Sequence, residues 1–184
     1  MMKGKRKAAV FRGKKNIQIE ELDIPAIGED EVLVRVHACG VCGSDVTMFV
    51  HGQIGPLVVP EGHIIGHEFA GEVVELGSRA KGLSIGDRVV VEPQAVCGSC
   101  EFCREGRYNL CPSVLFHGHP APESSRREGG YSEYVVAKDY EAILLPDSIS
   151  YKEAAMIEPF AVALSALENC QAKPGSSMAI IGAG

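Results

Sequence analysis

The chain has 184 residues, enough to bury one core and the start of a second domain. Of these, 46% are hydrophobic, with no run of membrane-spanning length. A net charge of −6 and a pI near 5.5 argue against nucleic acid or anionic membrane as a main partner. Seven cysteines, an odd count, behind an N-terminus reading Met-Met-Lys-Gly-Lys-Arg-Lys argue against a secreted disulfide framework and for a cytoplasmic protein. The basic cluster Lys3, Lys5, Arg6 and Lys7 reads as a solvated arm.

Residues 7–11 and 17–22 predict a β-hairpin across Gly13. Residues 31–37 alternate as a strand does, with Val32, Val34 and Val36 on one face. Further strands are expected at 69–76, 87–92, 130–136 and 142–145, with Gly77, Gly82 and Gly86 between the first two. Short strands with turn residues between them predict a mainly β fold with some helix, arranged as a small partly open barrel. Residues 117–129 are polar and Pro-rich, which predicts a long loop. Its His117, His119, Arg126 and Arg127 read as solvated, with attraction for an anionic or phosphorylated substrate as the alternative.

Beyond Pro146, Ser150 and Glu153 match a capping box. Residues 156–170 are helical in period, with Pro159 ending one helix or opening the next. Residues 177–184 predict an apolar strand running into Gly182-Ala183-Gly184, the first part of the Gly-rich turn that receives a dinucleotide pyrophosphate. Alone, Gly-Ala-Gly fits any tight turn. The expected organisation is one domain over 1–172 and the first strand of a truncated dinucleotide-binding domain over 173–184. Such a piece, lacking the third glycine and the acidic residue that selects the cofactor, is expected to bind no nicotinamide and to be inactive by itself.

Cys97, Cys100, Cys103 and Cys111 follow the order C-x2-C-x2-C-x7-C within fifteen residues, and the gaps are filled by glycine, polar and charged residues. Four thiolates on one structural zinc would hold a segment with so little apolar side chain. An iron–sulfur cluster is the competing reading, although ferredoxin runs usually place the fourth Cys three residues on.

A second constellation is dispersed. Cys42 lies in Gly-Val-Cys-Gly-Ser-Asp, His67 and Glu68 in Gly-His-Glu-Phe-Ala-Gly, and Glu158 in Ile-Glu-Pro. One thiolate, one imidazole and one or two carboxylates suit zinc with a position open for a substrate oxygen. Each also has an ordinary reading: a turn cysteine acting as a small hydrophobe, a solvated loop, a favourable charge at a helix start.

Taken together, these stretches resemble the zinc-containing medium-chain dehydrogenases of the alcohol dehydrogenase superfamily, in their sorbitol or polyol dehydrogenase-like branch. The matching segments are 40–45, His51-Gly52, 66–73, 86–89, the four-cysteine lobe at 97–111, 129–134 and 157–159. The resemblance implies a GroES-like barrel packed against a cofactor domain, two zinc ions per chain and NAD or NADP. It makes Cys42 and His67 ligands of a catalytic zinc, with Glu68 or Glu158 as the carboxylate. Ser44 becomes the hydroxyl of a proton relay. It further implies a small alcohol or polyol substrate, a homo-oligomer at full length, and no role for nucleic acid or membrane. Cys39 makes C-x-x-C with Cys42, for which a redox pair is the competing idea, and Cys170 is read as a core or helix-face residue.

The implied chemistry is removal of the hydroxyl proton from a zinc-polarised alcohol and transfer of the carbinol hydrogen as hydride. Many relatives carry His where this chain has Thr47, so the relay beyond Ser44 departs from the pattern; His51 matches the His-Gly of polyol enzymes. Met48, Phe49 and Phe116 line either the substrate cleft or the core. Two other classes compete: a metal-free quinone reductase relative, against which the cysteine lobe and Glu158 speak, and a noncatalytic zinc-binding module. L-threonine-type or sugar-phosphate dehydrogenases are alternatives within the family.

Overall fold

The computed structural model describes residues 2–121 and 127–182. In chain order the elements are β1 (Lys5–Gly13), β2 (Asn16–Asp23), β3 (Glu31–Cys39), α1 (Gly43–His51), β4 (Gln53–Ile54), β5 (Leu57–Val58) and β6 (His63–Ile64). They continue with β7 (Phe69–Leu76), β8 (Arg88–Val91), β9 (Gln94–Ala95), α2 (Glu101–Arg104), β10 (Leu115–Phe116), β11 (Tyr134–Lys138), β12 (Ala142–Leu144), α3 (Tyr151–Ala155) and α4 (Ile157–Asn169).

Five strands in the order β11-β3-β7-β8-β12 form the main antiparallel sheet, and β2-β1-β6 form a second. The chain just before β11 joins the two. Ser132 bridges Ala8, the Ala9 N–H donates to the Tyr131 carbonyl (2.8 Å), and the Glu133 N–H donates to the Lys7 carbonyl (3.0 Å). One segment thereby pairs with both sheets and closes most of the barrel, as the short strands predicted.

The core follows from β alternation. Val32 and Val34 of β3 share the interior with Phe69, Val73, Val89, Val91 and Val135, all essentially inaccessible to water. Leu33, on the opposite face, is buried too. The short helix α3 packs across β3, β7 and β8, so this part of the sheet has no solvent face.

Two expectations are corrected. Arg6 is not part of a solvated arm: it is 3% exposed, and its guanidinium donates to Ser132 Oγ, the Tyr134 carbonyl and Glu128. A strand pairing on both edges draws it inward, and those acceptors match its fork of donors. Residues 177–182 form no strand; Ile180 and Ile181 are exposed. A strand needs a neighbouring backbone for its amides, and none lies beside this segment among the described residues. Gly184, expected at the cofactor turn, and Arg126 lie outside the described residues. Gly182 has a φ of +90, the left-handed conformation such a turn requires.

The helical expectations hold. The Ser150 hydroxyl accepts from the Glu153 N–H while the Glu153 carboxylate accepts from the Ser150 N–H at 2.8 Å, a complete capping box that opens α3. Pro159 falls in the first turn of α4, where its missing N–H costs no intrahelical bond. Cys170 is exposed at the C-terminal cap of that helix.

Candidate metal centres and substrate site

The four lobe cysteines converge: the sulfurs of Cys97, Cys100, Cys103 and Cys111 all lie within 4.8 Å of one another. Backbone amides feed them. The Cys100 N–H points at Cys97 Sγ (3.3 Å), the Cys103 N–H at Cys100 Sγ (3.5 Å) and the Cys97 N–H at Cys111 Sγ (3.5 Å). Such N–H···S contacts favour the thiolate, and the amides of Ser99 and Cys100 pull the Cys97 thiol down to about 6. Desolvation and the neighbouring sulfurs push Cys103 up to about 12. Four thiols cannot all ionise at this spacing without a cation, so the donor set fits a tetrahedral metal with no open position.

The second cluster is assembled by tertiary structure. Cys42 caps the N-terminus of α1, while His67 and Glu68 precede β7. Donor atoms of Cys42, His67 and Glu68 lie within 4.8 Å of one another, with His67 4% and Glu68 6% exposed. Two glycines make the room. An added Cβ on Gly40 would lie 2.1 Å from Glu68 Oε2, and one on Gly66, whose φ is +96, would lie 2.7 Å from the Tyr131 ring.

Asp45 holds the two ligand-bearing segments together. Its carboxylate accepts from the Cys42 N–H (2.9 Å), the Gly66 N–H (3.2 Å) and the Tyr131 hydroxyl (3.0 Å), and its Oδ1 stands 3.8 Å from His67 Nδ1. Burial and Asp45 raise the Tyr131 hydroxyl far above its ordinary range, so it acts as a fixed donor. Asp45 and Glu68 are both buried, and no Lys or Arg pairs with either among the described residues. Two buried carboxylates beside a thiol, without a protein cation, fit a divalent metal.

Glu158, in the first turn of α4, stands outside the 4.8 Å group but faces it. Burial raises its carboxyl above the usual range, helped by Glu68 and Asp45 and opposed by His67. The Ser44 hydroxyl is buried without a hydrogen-bond partner among the described residues, free to give or take one. Thr47 Oγ1 is committed to the Gly43 carbonyl (2.9 Å), and His51 is exposed at the far end of α1. Cys39 belongs to the core: burial pushes its thiol up to about 12, and it takes no part in the cluster. Met48 is core, whereas Phe116 and Glu158 line a groove of about 790 Å³ beneath α4.

The loop starting at His117 is not the solvated element expected. His117 is fully buried; its Nδ1 faces the Glu128 carbonyl at 2.7 Å and its Nε2 lies 2.9 Å from the Arg127 guanidinium. A carbonyl only accepts and a guanidinium only donates, which assigns the proton to Nδ1. Arg127 also pairs with the fully buried Glu141. His117 and Glu141 can be buried because Arg127 donates to both. His119 packs beside the second cluster, its ring centroid 5.4 Å from that of His67 and 4.4 Å from that of Phe116. Sequence reasoning assigns Asp45 and Tyr131 no role at the site and reads His119 as a solvated loop residue or an anion contact; Gly-Ser-Asp and Gly-Tyr-Ser are visible as motif letters, but nothing in them reveals a shared contact.

The partly open barrel thus carries two separate groups of candidate metal donors, a four-thiol cluster on the lobe and a Cys-His-Glu cluster whose His and Glu are buried. Residues 28–147 match the alcohol dehydrogenase GroES-like domain, and the chain belongs to that family. It is similar to the sorbitol dehydrogenase of Bacillus subtilis, 46% identical over 178 residues that make up 97% of this chain and 49% of that protein. Among solved structures it resembles an Escherichia coli oxidoreductase/dehydrogenase of unknown specificity, with a TM-score of 0.84 and 37% identity over 95% of this chain and 49% of that one. It also resembles the galactitol-1-phosphate dehydrogenase of Escherichia coli (TM-score 0.80, 33% identity, 90% of this chain and 45% of that one). The chain spans about half the length of the relatives it matches.

Proposed function

We propose that the protein containing this chain oxidises a secondary alcohol or polyol with NAD or NADP, and that the chain supplies the metal-binding half of the site. The observation that carries this reading is the meeting of Cys42, His67 and Glu68 within 4.8 Å, two residues from the unpartnered Ser44 hydroxyl.

Cys42, His67 and Glu68 would hold the catalytic zinc, and Glu158 is the carboxylate kept in reserve across the site. When bound, zinc supplies a Lewis acid that lowers the pKa of an alcohol hydroxyl, and the nicotinamide supplies the hydride acceptor. Ser44 accepts the hydroxyl proton and passes it to solvent water, since Thr47 is already engaged. Phe116, its ring 5.3 Å from that of His67, covers one side of the site, and the groove under α4 gives substrate a way in. Cys97, Cys100, Cys103 and Cys111 would hold a second, structural zinc.

The same reading includes the division near residue 172, with Gly182 and Gly184 at the cofactor turn. The exposed Phe160, Leu164 and Leu167 of α4 support a further domain packed there. Exposed Tyr108, Leu110 and Val114 on the lobe support a homo-oligomer, and free cysteines throughout support a cytoplasmic location. Among the described residues no helix is long and apolar enough to cross a membrane.

The test is metal content and alcohol oxidation of the full-length protein. Two zinc ions per chain are expected, falling to one with loss of turnover in Cys42→Ser. One zinc per chain, indifferent to Cys42→Ser, would make the chain a noncatalytic zinc module.

A further inference from the structure

We infer that His119 determines specificity by hydrogen-bonding a second hydroxyl of the substrate, beside the one received by Cys42, His67 and Glu68. The inference rests on the alcohol and polyol reading above and names which alcohols that site prefers.

Three observations carry it. First, His119 Nε2 is buried and has no hydrogen-bond partner among the described residues. A buried ring nitrogen is costly to leave unmatched, so a ligand or water atom is expected to meet it. Second, the ring sits against the metal cluster. Its centroid is 5.4 Å from that of His67 at an interplanar angle of 84°, and 4.4 Å from that of Phe116, which lines the groove. His119 therefore adjoins the place where a substrate oxygen held by the cluster would lie.

Third, the backbone that carries the ring is fixed in place. His117 is locked by Glu128 and Arg127, and Gly118 lies so close to the chain at Gly66 that an added Cβ would be 2.6 Å from the Gly66 carbonyl oxygen. The His119 N–H donates to the Phe116 carbonyl (3.2 Å). An imidazole that offers one donor and one acceptor suits a hydroxyl group. A monohydric alcohol has nothing for it to bind, whereas a vicinal diol or longer polyol does.

The experiment uses the full-length protein loaded with cobalt(II), whose visible bands report ligands entering the metal site. D-sorbitol and 2-propanol are titrated against wild type, His119→Ala and His119→Gln. The expected result is a sorbitol affinity about five- to tenfold weaker in His119→Ala, with that for 2-propanol unchanged and partial recovery in His119→Gln. Equal weakening for both alcohols, or none for either, overturns the inference while leaving the dehydrogenase reading intact. If His119→Ala does not load cobalt, the comparison of His119→Gln with wild type decides. Wild-type cobalt bands indifferent to both alcohols would overturn the dehydrogenase reading itself, and the inference with it.

Discussion

Gly40 and Glu68 are matched to each other. The Gly40 N–H donates to the Glu68 carbonyl at 2.7 Å, and a methyl on Gly40 would fall 2.1 Å from the Glu68 carboxylate. The missing side chain at one position is the space in which the ligand at the other sits.

Gly40→Ala is therefore expected to displace Glu68 and release one metal per chain while the barrel stays folded. Metal analysis alongside circular dichroism checks this. The thermal midpoint should fall modestly, by the equivalent of about 1–3 kcal/mol for overpacking. Retention of both metals would mean that Glu68 is not a ligand.

Asp45→Asn keeps the shape but puts an amide among three donors. Of the Cys42 N–H, the Gly66 N–H and the Tyr131 hydroxyl, at least one loses its acceptor. The expected cost is about 1–3 kcal/mol of stability, with metal affinity at the Cys42 cluster down by roughly 10- to 100-fold. Tyr131→Phe removes one neutral donor and should cost less. Competition with a chromogenic chelator measures the affinity, and denaturant unfolding the stability.

The buried pair of Arg127 and Glu141 predicts a strong effect on stability. Glu141 is fully buried, and its carboxylate accepts from Arg127 and from the Lys138 N–H at 2.7 Å. Arg127→Ala leaves that charge without its partner and should destabilise by about 3–5 kcal/mol. Glu141→Gln in the same background should recover part of the loss. Urea denaturation of the two variants and the double mutant tests the coupling.

Acid should weaken the fold through its surface carboxylates. Hydrogen bonds from Ser150 hold the Glu153 carboxyl below its ordinary 4.5, and the Arg12 guanidinium does the same for Glu20. A depressed folded pKa contributes stability that is present above the unfolded value and lost as pH falls through the folded one. Melting temperature should therefore decline below about pH 4.5, and the decline should be shallower in Glu153→Gln. An identical profile in that variant would show that the capping box carries no acid sensitivity.

Much of the barrel was legible because β alternation is a local signal. Val32 and Val34 announce their common face by spacing alone, and Ser150 with Glu153 announces a helix start. The thiol lobe was legible for the same reason, its four donors lying within fifteen residues. The apolar run at 177–181 misled, since apolarity predicts a strand only where another strand is present to pair with it. The polar stretch from His117 misled in the opposite sense. Composition assigns His117 and Arg127 to water, but Arg127 donates to both His117 Nε2 and the buried Glu141 carboxylate.

From residue order alone came the strands, the capped helix, the closed cysteine lobe and the motif letters around Cys42, His67 and Glu158. Those features depend on neighbours within a few residues, where geometry is short-ranged and periodic. Only the folded chain decided that Asp45 clasps two ligand segments, that Gly40 yields room to Glu68, and that His119 turns inward beside His67. These are contacts between segments 21 to 52 positions apart, and distance in sequence carries no information about which buried polar groups will meet.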